Sequence, residues 1–375
     1  MADRALRIAV DGRELVGRPT GVGRYLLEIL RAWAEDPAMR HDVTVILPAS
    51  PPPHLAALGP RIAWHVEATA RPGTWWEQMR LPRVLARLAP DVLFAPGYTA
   101  PLQHPCPTVV TIHDVSFWAH PEGFRRRERL RRRWLTRTTA RRAARILTVS
   151  EFSAREIARW LRVNPDRIDV VPNGAPQAVE RIRPAAGPTV LYVGSLLNRR
   201  RIPLLLQAFR LVRARVPDAR LVLAGENRTS PPIDPLRIAI GLGIEDAVDY
   251  RAYVADEDLP RLYDDARVFA FLSDYEGFGL TPFEAIAHGV PPVLLDTPVA
   301  REIYGDAARL VAADAQAIAD ALVTLLIDDA TRATLAQAGA QRLPAFTWGR
   351  TAAAALRALE AAARPTSARA SVGSR

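Results

Sequence analysis

Short runs of β-branched and aliphatic residues alternate with helix-patterned stretches along most of this 375-residue chain, and that alternation narrows its folds more than any other feature. Parallel strands need long crossovers, usually helical, and repeating the unit builds a parallel sheet covered by helices on both faces. The class expected is α/β. In the first half the strand candidates are Arg7–Val10, Val43–Leu47, Val92–Ala95, Val109–Ile112, Ile146–Val149 and Ile168–Val171. Helices are expected near Val22–Ala34, Trp76–Leu88, Arg125–Ala144 and Ser153–Leu161. The stretch RIRPAAGPT, Arg181–Thr189, places two prolines and a glycine between apolar strands, the composition of an interdomain connection. A second series then runs through TVLYVG, a helix to about Arg215, strand Arg220–Ala224, a helix near Leu236–Leu242, strand Val248–Ala252, helix Asp256–Ala266 and strand Val268–Leu272. The length suits two cores. The division expected is 1–183, 187–345, an alanine-rich helix over 346–365 and a tail, 366–375, of disordered composition.

Composition removes several function classes. No apolar run reaches the ~18 residues that span a bilayer, and MADRALRIAVDG lacks the pattern of an export signal, so a cytoplasmic protein is expected. Cys106 is the single cysteine, which excludes an intrachain disulfide and a thiolate metal cluster. The net charge of +10 is carried without any lysine. Guanidinium groups suit bidentate contact with phosphate, although a codon bias toward arginine explains the same count.

The most informative segment is SDYEGFGLTPFEAIAHGVPPV, Ser273–Val293, where an apolar strand leads through a glycine-punctuated loop into a helix. Ligands of parallel α/β sheets bind at such carboxyl-terminal loops. Glu276 lies in the loop and Glu284 in the first turn of the helix. Thr281-x-x-Glu284 reads as a capping box, in which Glu284 satisfies only backbone donors. The functional alternative is a carboxylate that accepts two hydrogen bonds from a ribose diol, while amides of the Gly277–Leu280 loop meet phosphate or sugar oxygens.

This string resembles the signature of the retaining glycosyltransferases of family 4, also called group 1, in which a Glu and a second Glu bracket seven residues within EGFGLPxxEAMAxGxPVV. The likeness extends over nearly the whole chain, with Thr281 where proline is usual. It implies the GT-B fold, two Rossmann-like parallel-sheet domains facing across a cleft, with the acceptor on the N-terminal side and the donor held by the C-terminal domain. The 346–365 helix is then expected to pack back on the N-terminal domain. Carried over residue by residue, Glu276 contacts the donor sugar near the reacting carbon, and Glu284 holds the ribose. Gly277, Phe278, Gly279 and Leu280 supply the backbone for sugar hydroxyls and the distal phosphate.

The resemblance also weights weaker signals. In VGSLLNRRRIPLLLQAF, Val193–Phe209, Ser195 replaces an arginine of the family and Arg200 aligns with its lysine beside Arg199. Arg199 and Arg200 together are expected to neutralise the leaving diphosphate, against the alternative of a solvated helix start. THDVSF places His113 at a strand's carboxyl end. A lone histidine there is ordinarily a packing residue, but the family's His-Asp pair contacts the donor sugar. PTGVGRY looks like the family's first glycine loop, with Gly21 amides toward donor phosphate and acceptor. SEFS and PNG read as a helix cap and a turn. Asp256 and Asp258 look like caps rather than metal ligands, so no metal and no other cofactor is expected.

The arginines of Arg125–Arg145 crowd one helix with Leu130 and Trp134, either as a solvated face or as a surface for an anionic membrane carrying the acceptor. The resemblance thus implies retaining, metal-independent hexosyl transfer from a nucleotide-diphosphate sugar to a saccharide or lipid-linked acceptor. The Arg-Arg-Arg-Ile-Pro run resembles the Arg-Lys-Asn-Leu-Pro form of mannosyltransferases, which points to GDP-mannose. A sugar-nucleotide epimerase or hydrolase on the same fold and a noncatalytic binder are the alternatives. A nucleic-acid-binding protein using the arginine helix is the remote alternative; nucleic acid is not an expected partner, because that helix lacks the aromatic interleaving or motif of a nucleic-acid binder.

Overall fold

The structure is a computed structural model that describes residues 4–17, 20–52, 55, 58–59, 61–124, 126–179 and 187–364. Pro19, Arg125, residues 181–186 of the expected linker and the 366–375 tail lie outside the described residues. Contacts divide the chain into two compact units.

The first unit comprises Met1–Val115, Arg131–Gly174 and Trp348–Arg375. Its seven parallel strands are β1 (Arg7–Asp11), β2 (Asp42–Leu47), β3 (Ile62–Val66), β4 (Val92–Ala95), β5 (Thr108–Thr111), β6 (Arg145–Thr148) and β7 (Ile168–Val170), in the order β3-β2-β1-β4-β5-β6-β7. β1 lies in register between β2 and β4, with Ile8 opposite Val43 on one side and Val92 on the other. Its residues from Ile8 onward are all buried, as a strand covered on both faces requires. The Gly21–Glu35 helix begins where the Thr20 hydroxyl accepts from the Gly23 N–H at 2.9 Å, and it buries Tyr25, Leu26, Ile29, Leu30 and Trp33 along one stripe. Against that stripe lies the Trp348–Ala363 helix, whose buried residues include Ala352, Ala355, Ala358 and Leu359. Small side chains let the two backbones come close enough for Trp33 Nε1 to donate to the Ala352 carbonyl at 3.0 Å.

Two local features depart from the expected layout. The Trp76–Leu88 helix is two helices, Thr74–Met79 and Leu81–Leu88, joined at Arg80. Pro82 has no N–H for the carbonyl four residues earlier, and its ring crowds that carbonyl. β3 is an additional edge strand, paired only with β2 and partly exposed, so its hydrophobic signal is thin.

The second unit comprises Ser116–Leu130 and Ala175–Thr347. Its sheet holds β8 (Thr189–Val193), β9 (Arg220–Ala224), β10 (Val248–Arg251), β11 (Val268–Phe271), β12 (Pro292–Leu295) and β13 (Arg309–Val311), all parallel, in the order β10-β9-β8-β11-β12-β13. β12 and β13 extend the series beyond the strands anticipated. Val190, Leu191, Leu205, Phe209, Phe269, Phe283, Val293 and Leu322 are fully buried in its core. Tyr192, Phe269 and Phe271 stack across β8 and β11, stiffening the two strands whose carboxyl ends carry the candidate residues.

Candidate active site

Two loops meet at the carboxyl ends of β8 and β11. After β8, Gly194 adopts φ +138 and the chain passes through a short 3-10 turn, Asn198–Arg200, before the Ile202–Arg215 helix. After β11 comes the loop that holds Glu276. Arg200 Nε donates to Glu276 Oε1 at 3.1 Å, Arg199 Nη2 lies 3.7 Å from Oε2, and the Ser273 hydroxyl donates to Oε1 at 2.9 Å. Burial alone would raise the pKa of Glu276, but Arg200, Arg199 and Ser273 outweigh it and hold the carboxyl below its usual range. The site therefore keeps an ionised carboxylate beside two cations, all three side chains being partly buried.

Arg200 is itself fixed on three sides. Its Nη1 donates to the Ser195 carbonyl at 2.9 Å, and its guanidinium lies 4.8 Å from the Phe271 ring centre. Arg199 Nε donates to the Tyr275 carbonyl at 3.0 Å. Ser195 thus enters the cluster through its main chain, which also accepts from the Tyr192 hydroxyl.

The glycine hinge is specified sterically. Gly279 has φ +87, and a Cβ there would come within 2.7 Å of the Tyr304 hydroxyl. That hydroxyl donates to the Gly279 carbonyl at 2.5 Å and to the Phe278 carbonyl at 3.2 Å. The Phe278 ring is buried against Phe283 and Phe346. Burial, then the charges of Glu276 and Glu284, push the Tyr304 pKa well up, so both carboxylates act on one neutral hydroxyl.

Glu284 is buried in the first turn of the Thr281–Ala287 helix and accepts from the Tyr263 hydroxyl at 2.7 Å. The expected capping box does not form as drawn. Leu280 is the N-cap, without a side-chain cap bond, and Thr281 and Pro282 lie inside the first turn. Helical φ at Pro282 sets the start, and the Leu280 backbone takes the place assigned to Thr281. Asp258 likewise occupies an N-cap without a side-chain cap bond, whereas Ser150 does cap its helix, accepting from Ser153 N–H.

Gly21 and His113 belong to the first unit. Gly21 is the first residue of its helix, so its N–H is among those left without an intrahelical partner. Gly23 is the glycine that packing requires, since a Cβ would meet the Glu14 carbonyl at 2.4 Å. His113 follows β5, with Nε2 2.9 Å from the Pro96 carbonyl and its ring edge-on to Tyr25 at 4.8 Å. A carbonyl only accepts, so Nε2 carries the proton and Nδ1 is the ring's acceptor. Burial lowers the His113 pKa against the opposing pull of the Pro96 carbonyl and Asp114, favouring the neutral ring. The structure thus brings Arg199, Arg200, Glu276 and Ser195 into direct contact, and ties Phe278 and Gly279 to Tyr304.

Sequence reasoning missed Ser273, Tyr263 and Tyr304 in this unit. Ser273 stands three residues before Glu276 in the motif and was legible there; Tyr263 comes from the Leu259–Asp265 helix and Tyr304 from the end of the Pro298–Ile303 helix, and they were not. In the first unit it missed a buried charge cluster at the end of β1. Arg13 lies 2.7 Å from Glu77 and 3.5 Å from Asp11, and Thr99 donates to Glu77 at 2.6 Å. A cavity of about 910 Å³ in the same unit, between the Glu151–Leu161 helix, β7 and the Trp348–Ala363 helix, contains none of the catalytic or donor-binding candidates.

The model of the group 1 glycosyl transferases matches residues 179–342, and that of glycosyltransferase family 4 matches residues 19–179. An O-antigen chain mannosyltransferase B from Escherichia coli is 33% identical over 259 residues, covering 64% of this chain and 66% of that protein. A GDP-mannose:cellobiosyl-diphosphopolyprenol alpha-mannosyltransferase from Xanthomonas campestris is 31% identical, covering 53% of this chain and 52% of its own. The chain therefore spans between about half and two thirds of these relatives. The Anabaena protein HepE, solved with UDP-glucose, superposes with a TM-score of 0.73 at 20% identity, covering 94% of this chain and 100% of that one. That likeness shows the fold, a GT-B arrangement of two Rossmann-like domains.

Proposed function

Because the chain belongs to the group 1, family 4 glycosyltransferases, we propose that it moves a hexose from a nucleotide-diphosphate sugar onto a saccharide or lipid-linked acceptor in surface glycan assembly. The observation that carries this reading is the part-buried contact of Arg199 and Arg200 with Glu276 at the carboxyl ends of β8 and β11. As the bond between sugar and diphosphate breaks, negative charge grows on the leaving oxygens, and fixed guanidinium groups already in place stabilise it. Arg199 and Arg200 supply that charge without a metal ion. Loss of one such contact costs about 3 kcal/mol in the barrier. Glu276 lies beside the reacting carbon, and Glu284 takes the ribose diol. His113, neutral and donating from Nε2 to the protein, orients as a polar contact to the sugar. Transfer proceeds with retention, the acceptor attacking from the face the diphosphate leaves while a phosphate oxygen takes its proton.

The mannosyltransferase names of the relatives support mannose from GDP-mannose as the donor. The place of work is the cytoplasmic face of a membrane. Among the described residues no helix is long and apolar enough to cross one. The Arg126–Arg142 helix exposes Leu130 and Trp134, 62% and 60% accessible, among exposed arginines including Arg127, Arg131 and Arg141. Each such charge contributes about 1 kcal/mol near an anionic surface. Binding to vesicles that ignores anionic lipid content would remove this part of the proposal.

A thermal-shift panel of nucleotide diphosphates and their sugars tests the donor site, since a ligand of the native state raises its melting temperature. GDP-mannose should give the largest shift. Glu284→Gln should weaken every nucleotide, whereas Glu276→Gln should chiefly abolish transfer. Wild-type behaviour from both variants refutes the site. Anomeric analysis of the product and assay in excess chelator check retention and metal independence.

A further inference from the structure

Ser116–Leu130 interrupts the first unit's sequence and is counted with the second. It carries His120, whose ring lies 5.1 Å from that of Tyr275. Each ring nitrogen faces a carboxylate: Nδ1 is 3.2 Å from Glu122 Oε1, and Nε2 is 4.0 Å from Asp274 Oδ1. Asp274 Oδ1 is buried and, among the described residues, has no hydrogen-bond partner. The other oxygen, Oδ2, accepts from Arg201 Nε at 2.6 Å. The Asp274 N–H donates to the Arg199 carbonyl at 3.0 Å, and Arg199 returns a bond to the Tyr275 carbonyl. Asp274 therefore ties the turn that carries Arg199 and Arg200 to the loop that carries Glu276.

Ionised carboxylates only accept hydrogen bonds, whereas an imidazole N–H donates. We propose that His120 is a positioning residue: set between Glu122 and Asp274 and against the Tyr275 ring, it fixes the two loops that hold Arg199, Arg200 and Glu276. Arg201 stands behind Asp274, and Arg129 lies on the histidine's own segment, where its Nη1 donates to the Pro121 carbonyl. The site thereby depends on a segment far from it in sequence, in a position that neither the donor motif nor the arginine turn reveals. The inference rests on reading that cluster as the diphosphate site.

The test uses the full chain with GDP and UDP as probes, measured by calorimetry. His120→Phe keeps a ring beside Tyr275 but donates nothing, and should weaken nucleotide binding about tenfold. His120→Arg supplies several donors and should return affinity to within about threefold of wild type. Adding His120→Phe to Asp274→Asn should cost nothing further, because both remove one interaction. Wild-type affinity in His120→Phe, or no recovery in His120→Arg, overturns the bridge. If the wild-type chain binds neither nucleotide, the donor-site reading falls, and the bridge is judged on melting temperatures. There the same non-additive pattern sustains it and additive losses overturn it.

Discussion

At the end of β1, Asp11 is buried beside Arg13 and Glu77. Burial, reinforced by Glu77 and opposed by Arg13, raises its pKa from 3.8 to about 6. The native state therefore keeps the proton in a range where the unfolded chain has released it. That contribution to stability is complete below the unfolded value near 4 and is lost as pH rises to 6. The shift corresponds to about 3 kcal/mol. Asp11→Asn, uncharged throughout, should remove this slope, so denaturant midpoints should fall less between pH 4.5 and 6.5 than in wild type. Equal slopes would show that Asp11 is not the titrating group. Gly279 sets a second expectation. Alanine there must adopt φ +87 and displace the Tyr304 hydroxyl, costing about 1–2 kcal/mol for the backbone alone and loosening the Phe278–Gly279 carbonyls. Both a lowered melting temperature and weaker nucleotide binding are expected, the second being the sign that Tyr304 holds the site.

Among the elements, the Trp348–Ala363 helix is sustained by one stripe. Leu359 is fully buried in the cluster that contains β1 and the Gly21–Glu35 helix. Leu359→Ala should cost about 2–5 kcal/mol, measured by denaturant unfolding. The same elements show how far sequence pattern reaches. Strands such as β4 and β11 were legible because they are covered on both faces and read as unbroken apolar runs. β3 was not, because its residues are half exposed at an edge. The Gly-Phe-Gly hinge and both glutamates could be read from one motif, since they are close in sequence. Tyr304, Tyr263 and His120 could not, because each reaches the site from another element and carries no local pattern. The start of the Thr281–Ala287 helix was misplaced for a related reason: Thr281 satisfies the cap rule locally, yet Pro282 and the glycine loop begin the helix earlier.

On the scale of the whole molecule, the candidate donor residues concentrate at two loops of the second unit, while Gly21 and His113 lie in the first. Addition of GDP should therefore slow hydrogen exchange most strongly over 194–201 and 273–284, with the sheet strands little changed. Uniform protection, or none in those loops, would move the site elsewhere. The order of the chain has a further consequence. β1 and the Gly21–Glu35 helix leave the ribosome early, but the helix that covers Trp33 is translated only after the entire second unit. Throughout that interval the nascent protein carries an uncovered apolar stripe, the kind of surface that chaperones hold and that drives aggregation when synthesis stalls. Completion of the first unit is in this way a late docking event rather than the opening step of folding.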